Sequence, residues 1–232
     1  YFGSENVHVI DIYSTSDSKD RRPTKPDIIK AITELSSNIR SQDIFLLYFA
    51  GHGMQGKGND DSYYLLTEEA SGIDKIRSSS ISDEELSDYL SKIPSHRMIM
   101  ILDACHSGKI LNSFQPGMGY LSTKEEKALE KLIDETGMHI LAGSESDKVS
   151  YETSLYGQGL LTYSLLFGMK GEALRDGEYL DVNRLFQYAS TKVPELASTI
   201  GGVQKPVVKL PNRLEQVDIG KYGIEEKSRI KL

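Results

Sequence analysis

The sequence contains a single cysteine and no tryptophan among its 232 residues. One cysteine cannot form a disulfide within the chain, so the sequence predicts a reducing compartment, which we take to be the cytoplasm. Apolar runs that approach the length of about 18 residues needed for a membrane-spanning helix are also missing. The sequence therefore excludes a disulfide scaffold and predicts no membrane span.

An excess of basic residues is absent too, because 27 Lys and Arg stand against 34 Asp and Glu, for a net charge of −7. Nucleic-acid-binding surfaces are usually basic, so we expect no nucleic-acid partner. The remaining composition, 38% hydrophobic and 26% charged, is that of an ordinary globular protein. The chain is long enough to bury one large core.

Short apolar runs alternate with segments of helical period along the chain, which is the pattern of an α/β protein. This alternation predicts a three-layer α/β/α sandwich around a mainly parallel central sheet. The predicted strands are Val7–Ile12, Ile44–Phe49, Tyr63–Leu66, Met98–Leu102 and Met138–Ala142. The predicted helices start after Thr24 and after Ser82 and cover about 123–135, Gln158–Lys170 and Asp181–Lys192.

Two motifs directly follow buried strands of this pattern, and both carry side chains with useful chemistry. One is Gly51-His52-Gly53, and the other is the hexapeptide Asp103-Ala104-Cys105-His106-Ser107-Gly108. Sites in open α/β sheets form at the carboxyl ends of the strands. If the two strands are parallel neighbours, His52 and Cys105 reach the same crevice.

A cysteine beside a histidine indicates nucleophilic catalysis, because the imidazole raises the reactivity of the thiol and can protonate a leaving amine. The backbone N–H groups of Gly53 and Cys105 could donate to an oxyanion. His106 is an alternative base, although neighbouring side chains on a strand tend to diverge. Taken singly, a cysteine at a strand end is usually a small buried apolar residue, so the prediction depends on the pair.

Metal binding is the competing interpretation of the same residues. Zinc could be held by Cys105 with His52, His106 or His139, but the close ligand spacing of structural zinc sites is absent. The run Asn59-Asp60-Asp61 could hold calcium, although it lacks the regular ligand spacing of a calcium loop. We therefore expect neither a metal nor another cofactor.

At these motifs the sequence resembles the caspase-like cysteine peptidases, in particular their prokaryotic metacaspase/paracaspase-like branch, the orthocaspases. The apolar strand followed by Gly51-His52-Gly53 is similar to the histidine motif of that family. The segment Asp103–Gly108 is similar to the metacaspase pattern D-x-C-x-S-G, and the segment Tyr156–Gly171 resembles the late helix of the family. The resemblance implies the caspase/haemoglobinase fold and cysteine endopeptidase activity with His52 and Cys105 as the catalytic residues.

The resemblance extends over about residues 5–209 and sets the expected domain organisation. We expect a caspase-like peptidase domain over 1–209 and a polar tail or linker toward further domains over 210–232. Family members usually have one more strand ahead of the segment at 7–12, and the chain begins with Tyr1, so we expect a fragment or a processed product. The chain would then be part of a larger protein or complex.

The metacaspase-like branch cleaves after Arg or Lys and uses acidic pocket residues, so the resemblance also implies a substrate class. Asp103 stands at the position of a pocket carboxylate, and Glu152, followed by Asp147, is the best match for a second acid. A partly buried carboxylate pair attracts a guanidinium or an ammonium group and rejects an acidic side chain. We expect protein or peptide substrates with a basic residue before the scissile bond.

Activation by self-cleavage is a further expectation, and basic residues in predicted loops or at a helix start offer the cut sites: Arg21, Arg22, Lys109 and Lys124. The alternative function is a catalytically silent caspase-like module for protein interaction or signalling. A regulatory or zinc-binding α/β domain is a third possibility that depends on fold analogy alone.

Overall fold

The computed structural model describes residues 4–14, 21–56, 60, 62–106, 123–143, 159–211, 216–223 and 225, where strands and helices alternate as predicted. The strands are β1 (Ile44–Gln55), β2 (Tyr63–Leu65), β3 (Ile81–Ser82), β4 (Arg97–His106), β5 (His139–Gly143), β6 (Tyr179–Asp181), β7 (Val207–Lys209) and β8 (Asp218–Lys221). The helices are α1 (Lys25–Asn38), α2 (Ile73–Ser79), α3 (Asp83–Leu90), α4 (Thr123–Thr136), α5 (Leu160–Phe167) and α6 (Val182–Thr199).

The central sheet of the described residues has the strand order β3-β2-β1-β4-β5-β7. The three middle strands β1, β4 and β5 run parallel to one another. The strands at the edges, β2 and β3 on one side and β7 on the other, pair antiparallel with their neighbours. The sheet is therefore mixed, with a parallel centre that places the carboxyl ends of β1, β4 and β5 at one edge.

Side chains of β4 alternate between two apolar cores, one on each face of the sheet. Ile99 and Ile101 pack with α5 and α6 on one face. Met98, Met100 and Leu102 pack with α1, α3 and α4 on the other face. A strand that is buried on both faces reads as a continuous apolar run, which is why the sequence predicted it. The predicted three-layer α/β/α sandwich is confirmed.

Two helix starts predicted from capping residues are confirmed. The Thr24 side chain accepts a hydrogen bond from the backbone N–H of Asp27 at the start of α1. At the start of α3, Ser82 and Glu85 form a reciprocal capping box. Each cap satisfies an amide that the helix itself cannot pair, which contributes about 1 kcal/mol to stability.

The strand predicted over Val7–Ile12 is wrong, because this segment has no regular secondary structure. Val7 and Val9 are 54% and 67% exposed. No strand of the described residues pairs with the segment, and an alternating pattern yields a strand only where a partner supplies hydrogen bonds.

Both strands that carry the predicted site are longer than their apolar runs. β1 continues past Phe49 to Gln55, and β4 continues past Leu102 to His106. The strands extend because their ladder runs on to the pair Gly53 and His106. His52 and Cys105 therefore lie within paired strands, not in loops behind them.

The late helices also differ from their predicted bounds. The helix predicted over Gln158–Lys170 is regular only over α5 and ends in a π-helical turn at Gly168–Glu172, in which Gly171 has a φ of 149°. The helix predicted over Asp181–Lys192 continues to Thr199 and contains Pro194. The helix α2 was not predicted. The loop around 107–121 lies outside the described residues.

The segment expected to be a polar tail contributes to the fold as far as the structure describes it. β8 pairs antiparallel with β6 in a small second sheet. Val217, directly before β8, is 1% exposed and belongs to the core under α5 and α6. The boundary predicted at residue 209 is still a prediction, but packing continues beyond it to Tyr222.

Among the described residues, no helix combines the length and the apolar character needed to cross a bilayer.

Candidate active site

The candidate site centres on a pair of residues in neighbouring strands. His52 of β1 and Cys105 of β4 are register partners in the parallel ladder. Neighbouring strands lie roughly 4.8 Å apart, so the two backbones run side by side at these positions. The structure thus brings together the two residues that the sequence singled out, at the carboxyl ends of both strands.

His52 is exposed, in contrast to the following residue, Gly53, which is buried. On the same side of β1, the side chains of Leu46 and Tyr48 are 45% and 44% exposed. This face of β1 is partly exposed, although Tyr48 on it also contacts Thr162 of α5, whereas the adjacent positions of β4 are covered by α5 and α6. The exposed imidazole of His52 can therefore be reached from this face of β1.

Close packing requires a glycine at position 53, which was not predicted from the sequence. It pairs with Leu65 of β2 and with His106 of β4, and a Cβ at this position would overlap the hydroxyl of Tyr63. The packing of Tyr63 on its Cα accounts for the residue type. The contribution of its N–H to an oxyanion hole remains a prediction.

Asp103 lies two residues before Cys105 on β4, with its side chain against the start of α5. The hydroxyl of Thr162, the third residue of that helix, donates a hydrogen bond to Oδ2 of Asp103. The backbone of Thr162 also hydrogen-bonds to the carboxylate. The hydroxyl of Tyr48, on β1, lies 2.7 Å from Oγ1 of Thr162.

Burial raises the pKa of the Asp103 carboxyl, and the two hydrogen bonds from Thr162 act against this rise. The pKa of the Tyr48 hydroxyl is raised mainly by burial, and the nearby charge of Asp103 adds to the effect. No Lys or Arg of the described residues forms a salt bridge with Asp103. A carboxylate without a cationic partner in a half-buried place is suited to bind a cation.

The neighbours of Asp103 across the sheet carry no charge. Its register partners are Ala50 on β1 and Gly143 on β5. A Cβ on Gly143 would lie 3.4 Å from Nε2 of Gln204, whose side chain is 2% exposed. The amide oxygen of Gln204 has no hydrogen-bond partner among the described residues.

The other predicted pocket acids, Glu152 and Asp147, lie outside the described residues. The same holds for Asn59 and Asp61 of the candidate calcium run and for Lys109 among the candidate cut sites. Asp60 is described, and it binds Nη2 of Arg77 at 2.8 Å and the hydroxyl of Tyr64 at 2.9 Å.

The remaining histidines and basic residues have separate places. His139 is buried at the start of β5, and His96 is exposed before β4. Within the described ranges, no three His, Cys, Asp or Glu side chains gather closely enough to hold a metal ion. Arg21 forms a salt bridge with Glu34 at 3.0 Å. Two further candidate cut sites are Arg22, which pairs with Glu68, and Lys124, which lies in α4.

Three residues at the site were not predicted: Tyr48, Gly159 and Thr162. Tyr48 interrupts the apolar run of β1 with a hydroxyl, and Thr162 stands three residues after Gly159 at a helix start. These local features are visible in the sequence, but the contact between Tyr48 and Thr162 joins positions 114 residues apart. Only the fold brings them to Asp103.

Comparison with known proteins identifies relatives of this chain among the metacaspases. The chain is 28% identical over 143 residues to metacaspase-4 of Arabidopsis thaliana, covering 58% of this chain and 31% of that protein. It is 27% identical over 177 residues to metacaspase-1 of Lodderomyces elongisporus, covering 71% of this chain and 38% of that protein. It is 32% identical over 127 residues to metacaspase-1A of Neurospora crassa, covering 52% of this chain and 26% of that protein.

The chain thus spans less than two fifths of the length of these relatives. Residues 10–216 match the caspase domain family, peptidase C14. This range contains β1 and β4 with His52 and Cys105 and the helices on both faces of the sheet. Because the match covers most of its length, the chain belongs to the caspase domain family, peptidase C14.

Proposed function

We propose that this chain is a cysteine endopeptidase that cleaves protein substrates after Arg or Lys with a dyad of His52 and Cys105. The observation that carries the proposal is the register of the two residues on neighbouring parallel strands in a chain of the caspase domain family. The identity to metacaspases supports it. We place the chain in the orthocaspase branch as part of the same proposal.

In the proposed reaction, the thiolate of Cys105 attacks the carbonyl carbon of the scissile peptide bond and forms a tetrahedral intermediate. His52 donates a proton to the leaving nitrogen as the C–N bond breaks, and a thioester remains on the sulfur. Water then attacks the thioester carbon, and His52 accepts a proton from this water. The C–S bond breaks, which releases the carboxylic acid product and restores the thiolate of Cys105. The exposure of His52 suits both transfers, because leaving amine and water must reach the ring.

The basic specificity is proposed from the surroundings of Asp103. Its carboxylate is half-buried, lies two residues from Cys105 and forms no salt bridge with a Lys or Arg of the described residues. An Arg or Lys side chain of the substrate would supply the missing positive charge, whereas an acidic one would be repelled. Glu152 and Asp147 are proposed as further acids of the same pocket.

The proposal has further parts that concern the oxyanion, cofactors and processing. The N–H groups of Gly53 and Cys105 are proposed to bind the oxyanion. No cofactor is proposed. Self-cleavage, a cytoplasmic location and membership in a larger protein or complex are also proposed, from the resemblance to the family and from the single cysteine.

Fluorogenic peptides that differ only in the residue before the scissile bond test the proposal. We expect the Arg and Lys peptides to be hydrolysed and the Asp peptide to react at least about a hundredfold more slowly. Cys105→Ala should abolish hydrolysis and serves as the control for contaminating peptidases. A wild-type preference for Asp would overturn the specificity.

A catalytically silent module remains the alternative, and the same assay separates it from an enzyme. A silent module would cleave none of the peptides, and its cysteine would react with iodoacetamide no faster than an ordinary thiol. The intact pair of His52 and Cys105 on adjacent strands favours the enzyme.

A further inference from the structure

The surroundings of Asp103 contain more than a substrate-binding carboxylate. Three elements meet there: β1 through Tyr48, β4 through Asp103 and the first turn of α5 through Thr162. The two outer residues were not among the predicted site residues and have no part in the proposed dyad. Their hydrogen bonds nevertheless lead to Asp103, the acid to which we ascribe the basic specificity.

The direction of the hydrogen bonds follows from counting protons. An ionised carboxylate can only accept, so the hydroxyl of Thr162 must donate its single proton to Asp103. The same oxygen, 2.7 Å from the Tyr48 hydroxyl, must then accept the proton of Tyr48. The chain therefore runs from Tyr48 through Thr162 to Oδ2 of Asp103. Hydrogen bonds in such a chain polarise and strengthen one another.

The start of α5 is built to receive this carboxylate. Its N-cap residue is Gly159, which has no side chain to cap the helix. The carboxylate of Asp103, on strand β4, binds the helix terminus instead. A Cβ on Gly159 would lie 2.9 Å from Oδ2 and 3.3 Å from Oδ1 of Asp103. Because the φ of Gly159 is an ordinary −58°, the glycine provides space and not an unusual backbone conformation.

These contacts hold the carboxylate of Asp103 from the side of α5. The hydroxyl of Thr162 donates to Oδ2, and the backbone of Thr162 adds a second hydrogen bond to the carboxylate. The groups that face the carboxylate from the packed elements are Tyr48 from β1 and Gly159 and Thr162 from α5. Across the sheet lie Ala50 and Gly143, so within the part of the chain that the structure describes, Tyr48 is the titratable group among these neighbours.

We propose that Thr162 and Tyr48 are positioning residues that hold Asp103 ionised and oriented for a basic substrate side chain. This inference rests on the proposed function, because it concerns the acid of the same pocket. Without the hydroxyl of Thr162, burial of Asp103 would no longer be offset by that donor, and the carboxyl would take up a proton at higher pH. Binding of a basic residue would then fail on the acidic side of neutrality.

The test compares Thr162→Val, Thr162→Ser and Tyr48→Phe with the wild type in the full chain. For an Arg peptide we expect Thr162→Val to lower kcat/KM about tenfold and to move the acidic limb of its pH profile upward by about one pH unit. Thr162→Ser keeps the hydroxyl and should stay near the wild type. Tyr48→Phe should also lower kcat/KM and move the acidic limb upward, but by smaller amounts, because Tyr48 reaches Asp103 only through Thr162.

Two controls separate positioning from general damage. Thr191→Val makes the same exchange on the exposed side of α6, where the hydroxyl donates a hydrogen bond to the carbonyl of Gln187, and should leave the pH profile unchanged. The rate at which iodoacetamide labels Cys105 should be the same in all variants, since the dyad is untouched. If Thr162→Val does not fold, Tyr48→Phe and Thr162→Ser still report the pH profile.

The outcomes also separate the two proposals. A wild type that cleaves Arg peptides, with a Thr162→Val profile identical to it, overturns this inference and leaves the proposed function intact. A wild type that cleaves no basic peptide overturns the proposed function and the specificity role together. A loss of kcat/KM in Thr162→Val that Thr162→Ser does not recover would show a purely structural effect and would also overturn the inference.

Discussion

His52 and Cys105 are register partners in a ladder of ten consecutive pairs that joins β1 and β4 from Ile44 and Arg97 to Gly53 and His106. Two residues in such a ladder cannot shift relative to each other without breaking the hydrogen bonds of the whole strand pair. The pairing of β1 with β4 in the middle of the sheet therefore fixes the separation of the two backbones at His52 and Cys105. This separation does not depend on the loops that follow the strands.

This arrangement predicts that the reactivity of Cys105 depends on His52 and on no other histidine. His52→Ala should abolish peptide hydrolysis and slow the alkylation of Cys105 by iodoacetamide near neutral pH, because the imidazole that activates the thiol is gone. The alkylation rate is measured by mass spectrometry of the single cysteine.

His96→Ala is the matched control, since this histidine is exposed before β4 and belongs to no part of the site. It should leave both rates unchanged. If His106→Ala slowed alkylation as strongly as His52→Ala, the assignment of the base to His52 would be wrong.

Asp103→Asn should change activity and stability in opposite directions. Removing the charge should lower kcat/KM for Arg peptides about a hundredfold, because the substrate cation loses its partner. At neutral pH the same change should raise the free energy of unfolding by about 1 kcal/mol, because a half-buried carboxylate with no salt bridge to the described Lys and Arg side chains becomes a neutral amide. Peptide kinetics and urea unfolding measure the two effects, and a variant that loses both activity and stability would contradict the assignment.

The pH dependence of stability follows from the same residue. Burial raises the pKa of Asp103 in the folded state, so the folded chain holds this proton more tightly than the unfolded chain. Its contribution to stability is complete below the ordinary carboxyl pKa and is lost as pH rises through the raised value. Urea unfolding across that acidic range should show this decline in the wild type and a weaker one in Asp103→Asn. Equal slopes in the two proteins would refute the burial effect.

Asp60 should behave with the opposite sign. The hydrogen bond from Arg77 is the main cause that holds its pKa well below the usual range, so its contribution is present above the ordinary pKa and is lost as pH falls. Asp60→Asn should cost about 1 kcal/mol at neutral pH, and the cost should shrink in strong acid. Asp88→Asn, at an exposed position of α3, is the control and should stay within about 0.5 kcal/mol of the wild type.

The parts of the fold that were predictable are those whose signal is local. β4 is a continuous apolar run because both of its faces are buried, and α3 starts at a capping box within four residues. Val7–Ile12 has the alternation of a strand, but pairing depends on a partner that the pattern does not contain. β8 is the converse case, since its sequence Asp-Ile-Gly-Lys has little strand character and pairs because β6 lies beside it.

The candidate site divides in the same way. His52 and Cys105 were identifiable because reactive residue types follow buried strands, and parallel strands bring such ends to one edge of a sheet. Tyr48 and Thr162 were not identifiable, because threonine and tyrosine occur everywhere and their contact depends on how α5 is placed over the sheet. Neutral positioning residues lack a sequence signature, and they can be recognised only from their contacts in the folded chain.

The segment after residue 209 provides the last prediction, because the structure places Val217 in the core and the sequence indicated a polar tail. Val217 is 1% exposed, and its carbonyl accepts the backbone N–H of Val182 at the start of α6. Val217→Ala should lower the free energy of unfolding by about 2 kcal/mol through lost burial and the cavity that remains. Val203→Ala is the matched control, since Val203 is 51% exposed and the same truncation there should cost less than about 0.5 kcal/mol. Urea unfolding of both variants measures the difference, and equal stabilities would mean that the segment after residue 209 is not part of the folded domain.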